Sequence, residues 1–317
     1  MAGAGRDVCQ VQNSVEIFFQ NIRIPENYHQ ANQSMVDFVV QHSKEDRKVV
    51  LVTSGGTTVP LESHTVRFID NFSIGTRGSA STEYFLDQGY AVIFLHRHRS
   101  LEPFLRHFSK VSFLDILEDI NSFLDFLYLK NSEMPMLKQV MKKYQAVKAE
   151  GRLLSVSFQT IGDYLHLLRA AAEALQPLEG RALLYLAAAV SDFYIPRDLM
   201  PEHKIQSSEG PLNIALQLVP KILGPLVKTW VPKAYVVSFK LETDPNILLR
   251  KARQAMEKYS HQLVIANILE TRKEEVVIVT KDTEEKIKLS QEQMARGVEI
   301  EEPIVKRLKI LHQQFCV

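Results

Sequence analysis

Val49-Val50-Leu51-Val52-Thr53-Ser54-Gly55-Gly56-Thr57 is the stretch that decides the fold. Four consecutive apolar, mostly β-branched residues read as a strand buried on both faces. The glycine pair that follows lets backbone approach a ligand closely. Further along comes Asn71-Phe72-Ser73-Ile74-Gly75-Thr76-Arg77-Gly78. Gly75 and Gly78 open a helical stretch, Ser79 to Leu86, whose unpaired N–H groups and positive dipole end suit a polyphosphate. By itself a Gly-x-x-Gly at a helix start fits packing or turn glycines equally well. Two familiar nucleotide fingerprints are absent: Gly75-Thr76-Arg77-Gly78 lacks the first glycine of G-x-G-x-x-G, and no G-x-x-x-x-G-K-[ST] occurs.

Outward from this centre the pattern alternates strand and helix. Strands are expected at 49–53, 91–95, 153–158 and 183–190, then from Tyr235 to Phe239 and from Leu263 to Ala266. Helices are expected at 79–87, about 135–149, about 161–175, and from Pro245 with Leu248, Ala252, Met256 and Tyr259 inward. Tyr164, Leu167, Leu168, Ala171, Ala172 and Leu175 form one helical face, read as core rather than site. Val276–Val279 and Ile287–Leu289 read as a hairpin, and 299–314 as a closing helix. The sum predicts a doubly wound, Rossmann-like α/β fold, its sheet mostly parallel, with a β-hairpin and flap extension. Residues 1–46 are expected to be a helical lead-in for docking or dimer contact, with Met35, Phe38, Val39 and His42 at helical spacing; 47–317 is expected to be a single α/β domain. Asp192, Lys240 and Asn267 each follow a strand, so functional groups collect at one sheet edge, the ligand crevice of open α/β sheets.

The chain has 317 residues, 45% of them hydrophobic, enough for a large core. Lys and Arg total 38 against 37 Asp and Glu, so no global field draws nucleic acid or an anionic membrane. Cys9 and Cys316 lie at opposite ends, outside any metal or redox spacing, which excludes a disulfide framework and fits a reducing cytoplasm. No segment has the length of uninterrupted apolar sequence that a membrane span needs. His96 and His98 flank Arg97 at a strand end, and two ligands alone do not hold zinc, so no structural metal is expected.

Seven ordered motifs resemble those of the phosphopantothenoylcysteine synthetases of coenzyme A synthesis, in their eukaryotic monofunctional form. They are Thr53–Thr57, Val66–Ser73, Gly75–Gly78, Ala187–Phe193, His203–Ser207, Ser238–Asp244 and Ala266-Asn267, and the resemblance covers nearly everything after residue 46. It implies a ligase joining phosphopantothenate to cysteine through an acyl-nucleotide, with ATP and Mg²⁺, as a homodimer. It places Gly55, Ser73, Gly75, Gly78, Phe239 and Asn267 around the nucleotide, and Asn71, Ala188, Ala189 and Asp192 around phosphopantothenate. Arg67 would reach the neighbouring subunit's substrate, and Lys204 matches a lysine on a mobile flap. Many relatives have serine where this chain has Ile74. Bacterial relatives carry a flavin-dependent domain in front; about 46 residues do not hold one, and FMN is not expected.

The chemistry explains these residue types. A carboxylate attacking an α-phosphate builds charge on an already anionic nucleotide, so Mg²⁺, helix N–H groups and a lysine share it; Lys204 is the candidate, against a solvated loop lysine. Asn71 can donate an amide N–H to an acyl oxygen without titrating; the alternative reading is an Asx-turn residue. Asp192 accepts from a substrate amide or caps the following segment; Ala188 and Ala189 admit a ligand or pack; Arg67 reaches the partner or makes a surface ion pair worth at most about 1 kcal/mol. Rival readings are the same ligase using CTP, an NAD-type oxidoreductase of the same fold, and a non-catalytic nucleotide-binding protein.

Overall fold

The computed structural model describes residues 14–109, 117–119, 127–129, 134–207 and 210–316; Cys9 lies outside them. Eight strands form the central sheet. In chain order they are β1 (Val49–Ser54), β2 (Ala91–Arg97), β3 (Leu153–Phe158), β4 (Ala182–Leu186), β5 (Tyr235–Glu242), β6 (Leu263–Ile268), β7 (Glu275–Val279) and β8 (Glu284–Lys288). Their spatial order is β3-β2-β1-β4-β5-β6-β7-β8. The first six run parallel, and β7 and β8 are antiparallel. The chain therefore steps outward from β1 on one side and returns to its other side with β4. This reversal, the switch point of a doubly wound sheet, opens a crevice at the carboxyl ends of β1 and β4.

All six residues of β1 are buried, as its unbroken apolar run requires. Leu51 sits between Ile93 of β2 and Leu184 of β4. One face is covered by α3 (Thr76–Asp87) and α7 (Glu301–Phe315), where Phe85, Ile304 and Leu308 meet Val50 and Val52. The other is covered by α2 (Tyr28–Lys44) and α5 (Ile161–Leu175); α1 (14–21) precedes them, and α4 (Met134–Ala149) and α6 (Pro245–Tyr259) are the remaining helices of eight residues or more among the described residues. Thr160 caps α5 reciprocally with Asp163, the hydroxyl accepting from the Asp163 amide at 3.1 Å and the carboxylate from the Thr160 amide at 2.9 Å. Asp244 caps α6 just before Pro245.

The structure differs from the sequence reading in several places. In the segment read as a docking lead-in, Met35, Phe38 and Val39 are buried in the chain's own core against α5 and β1. The His42 imidazole donates to the Gly151 carbonyl at 3.0 Å. β4 ends at Leu186 rather than 190, because the next amides bond elsewhere. α3 starts at Thr76, three residues early, and includes Gly78. At the far margin, β8 exposes Glu284, Lys286 and Lys288, and the two lysines clasp Glu275 of β7 at 3.0 and 3.3 Å.

Candidate active site

The segment after β4 folds over the segment after β1. Thr57 N–H donates to the Ala189 carbonyl at 3.0 Å and Ala189 N–H to the Gly55 carbonyl at 2.8 Å. The Ala188 amide donates to Thr53 Oγ1 at 3.1 Å and the Ser191 amide to Thr57 Oγ1 at 3.0 Å. The backbone amides of Ala188 and Ala189 are thus engaged within the protein; what these residues offer a ligand is their small size.

A two-stranded ribbon, Thr58–Pro60 paired with Phe68–Asp70, brings the chain back to the crevice. Asn71 N–H then donates to the Thr57 carbonyl at 3.1 Å, which seats Asn71 directly on Gly56. The contact is so close that a Cβ at Gly56 would stand 1.6 Å from the Asn71 carbonyl oxygen. Gly55 turns the chain with φ +86°, its α-carbon against Arg97, whose guanidinium donates to Asp70 at 2.6 Å. The Asn71 side-chain amide has no partner among the described residues, and neither does the Ser73 hydroxyl.

Gly75 and Gly78 have separate tasks. Gly75 precedes α3 in the left-handed region, φ +85°, and no side chain caps the helix. Its first-turn N–H groups therefore remain open at the crevice. Gly78 is a packing glycine: a Cβ there would lie 2.4 Å from Ser54 Cβ. Arg77 bonds Glu301 at 2.8 Å and the Arg272 carbonyl at 2.6 Å, pinning α3 to α7. Burial holds the Glu301 carboxyl above its usual range despite that guanidinium.

On the same face of the sheet stand Phe239 and Asn267. Phe239 makes an edge contact with Tyr185, centroids 4.9 Å apart, and Asn267 lies across from Leu241 on β6. Asn267 is 6% exposed, and its Oδ1 has no hydrogen-bond partner. A buried amide oxygen without a donor fits a site completed by a ligand.

On the opposite face a cleft of 310 Å³ runs beneath α5, lined by Tyr164, Leu168, Ala188, Asp192, Lys221 and Ser238 among others. The helical stripe read as core thus contributes Tyr164 and Leu168 to a wall. Asp192 accepts from Lys221 Nζ at 2.8 Å, and both are largely exposed. Lys221, Ser238 and Tyr164 were missed as site residues because they come from separate elements with no shared motif.

Lys204 and Arg67 belong to adjoining loops. Ser63 and His64 amides donate to the Pro201 and Glu202 carbonyls at 2.8 and 3.0 Å. Arg67 Nη1 donates to Glu62 at 2.9 Å and to the Ile205 carbonyl at 3.2 Å. The Glu62 carboxylate is enclosed and also accepts from the Val66 and Arg67 amides. Arg67 is therefore anchored to a buried acid of its own chain rather than to a surface one. Lys204 is exposed, without an ion-pair partner among the described residues. No group of three or more His, Cys, Asp or Glu able to hold a metal occurs among them.

Residues 163–305 match the DNA/pantothenate metabolism flavoprotein C-terminal domain. The human phosphopantothenate–cysteine ligase is 52% identical over 284 residues, covering 89% of this chain and 91% of that protein. The chain belongs to the phosphopantothenate–cysteine ligase family. A rice phosphopantothenate–cysteine ligase is 44% identical, covering 89% of this chain and 87% of that protein. The solved structure of a Cab2 mutant in complex with phosphopantothenate-cysteine superposes with a TM-score of 0.87 at 39% identity, covering 95% of this chain and 98% of that one. A flavoprotein from Streptococcus pneumoniae, at 20% identity and TM-score 0.57, shares the fold. Ligase-family membership bears out the resemblance read from the seven motifs and leaves the oxidoreductase reading without support.

Proposed function

We propose that this chain joins phosphopantothenate to cysteine using ATP. The reading rests on near-full-length identity to the ligases, and the uncapped α3 N-terminus beside Asn71 supports it. In the first step a carboxylate oxygen bonds to the α-phosphorus and pyrophosphate leaves. In the second the cysteine amine nitrogen bonds to the acyl carbon, AMP leaves with the C–O electron pair, and the amine gives up a proton. The first-turn amides of α3, with Gly55, Gly75 and Ser73, hold the phosphates; Phe239 and Asn267 line the nucleoside pocket. Asn71 donates to the acyl oxygen as charge builds there, and Ala188, Ala189 and Asp192 flank the pantothenate arm. Mg²⁺ entering with the nucleotide would supply neutralisation of the phosphate charge, beside the first-turn amides of α3. FMN has no part in either step. The measurement that tests the function is pyrophosphate release with ATP or CTP, with and without phosphopantothenate and cysteine. Release only when both nucleotide and phosphopantothenate are present is expected, with ATP preferred. A preference for CTP would overturn the nucleotide, and no release with either would overturn the ligase.

Lys204 closes over the phosphates from its flap. Lys204→Gln is expected to slow acyl-nucleotide formation in rapid-quench experiments, and unchanged formation would return it to the solvated loop.

The assembly in this reading is a cytoplasmic homodimer of single α/β domains, residues 47–317, on which the N-terminal helices pack. No helix of the described residues is long and apolar enough to cross a membrane. Phe68 and Phe72 are exposed on and beside the ribbon of Thr58–Pro60 and Phe68–Asp70, Phe72 at 88%, and Phe193 and Leu218 on a second one, Phe193–Tyr194 paired with Gln217–Leu218, apolar side chains suited to a second copy. Arg67 then extends its remaining guanidinium nitrogens to the neighbour's substrate. Mixing Arg67→Ala with Asn71→Ala subunits should restore one complete site per heterodimer, since the two-fold places both defects in the other site. Mixed dimers, verified by native mass, that stay as inactive as either parent would confine Arg67 to its own subunit.

A further inference from the structure

The cleft beneath α5 contains a hydroxyl that none of these roles uses. Ser238 stands on β5 between Leu186 of β4 and Val264 of β6, and it lines the cleft beside Ala188 and Asp192. Its Oγ is 2.7 Å from Nε2 of His261. His261 is 4% exposed, and burial pushes its imidazole down to about 4, so near neutral pH the ring is uncharged and bears one N–H. Its Nδ1 has no partner.

These facts give the bond a direction. A proton on Nδ1 would leave a buried N–H donor unpaired, the rarer and costlier kind of orphan; a proton on Nε2 leaves only an acceptor lone pair. Nε2–H therefore donates to Ser238 Oγ, and the serine's own proton is free to point into the cleft. Asp192, the one acidic residue of the described lining, is already engaged by Lys221.

We infer that Ser238, oriented by His261, donates a hydrogen bond to an uncharged acceptor oxygen of the phosphopantothenate arm. The inference rests on the ligase reading above. The arm, and not the nucleotide, is the ligand because Ala188 and Asp192 line the cleft, whereas Phe239 is the single nucleotide candidate that reaches it. Its walls of Leu168, Leu186, Val219 and Leu226 suit an aliphatic chain with few polar atoms rather than a polyanion. His261 is a positioning residue.

The test is steady-state kinetics of the full chain, with thermal melts alongside. Ser238→Ala is expected to raise KM for phosphopantothenate about tenfold with the nucleotide KM unmoved, as loss of one hydrogen bond implies. His261→Gln, whose amide can still donate to Ser238, should hold that KM within about twofold, and His261→Leu should raise it. If Ser238→Ala lowers Tm but leaves KM unchanged, the hydroxyl only satisfies the histidine and the inference is overturned; a change in the nucleotide KM instead overturns it too. Should the alanine variant not fold, Ser238→Cys keeps the shape with a weaker donor and carries the same expectation. A wild-type protein without ligase turnover would fail the functional reading before any variant is compared.

Discussion

Asn71→Ala is expected to slow turnover by about 100-fold or more while nucleotide affinity changes little. The argument begins with the backbone. Asn71 is held by its own N–H to the Thr57 carbonyl at 3.1 Å, a bond the alanine retains, so the loop stays where it is. What disappears is a side-chain amide that has no partner among the described residues. One donor aimed at a developing oxyanion is worth about 100- to 1000-fold in kcat when removed. Such a loss in kcat, rather than in the nucleotide KM, marks an interaction made in the transition state. Turnover at the wild-type rate would remove Asn71 from the chemistry.

Gly56→Ala is expected to cost at least as much activity, and stability with it. The new methyl would fall 1.6 Å from the Asn71 carbonyl oxygen and 2.8 Å from its carbon. Backbone is the obstacle on both sides, so no side-chain rotation relieves it. Either the Thr57–Asn71 bond opens or the lacing of Thr57 to Ala189 does. Overpacking of this kind costs about 1 to 3 kcal/mol, and displacing a catalytic group by about 1 Å can itself cost about 100-fold. Gly162→Ala is the control, since a Cβ there would meet the Arg23 carbonyl oxygen and Thr160 Oγ1 no closer than 3.6 Å. A Gly56→Ala enzyme with wild-type Tm and kcat would show that the Asn71 loop is far softer than this contact implies.

Most of the sheet was legible in the sequence because every strand except the charged β8 carries a short run rich in apolar residues, and the helices have stripes or caps of their own. The failures have physical causes. Ala187 to Val190 continues the apolar run of β4, yet Ala188 and Ala189 amides are taken by Thr53 Oγ1 and the Gly55 carbonyl, a tertiary contact no local pattern announces. The sequence predicts the helix only from Ser79, after both glycines, whereas Gly78 lies inside α3 and lets the helix touch Ser54. The nucleotide and phosphopantothenate candidates could be named because they sit in contiguous motifs. Ser238, His261 and Lys221 could not be grouped, since only the folded sheet and the packing of α5 bring one wall of the cleft against another.

The charged outer strand β8 bears on how copies of this protein meet. A sheet margin with unpaired amides is a template on which another chain can add, and alternating Glu284, Lys286 and Lys288 make that margin costly to desolvate. Growth of the sheet from one molecule into the next, the first step toward fibrous aggregates, is disfavoured at this end. The dimer proposed above is built instead on exposed apolar side chains such as Phe68, Phe193 and Leu218, so the association it predicts is finite and does not extend the sheet.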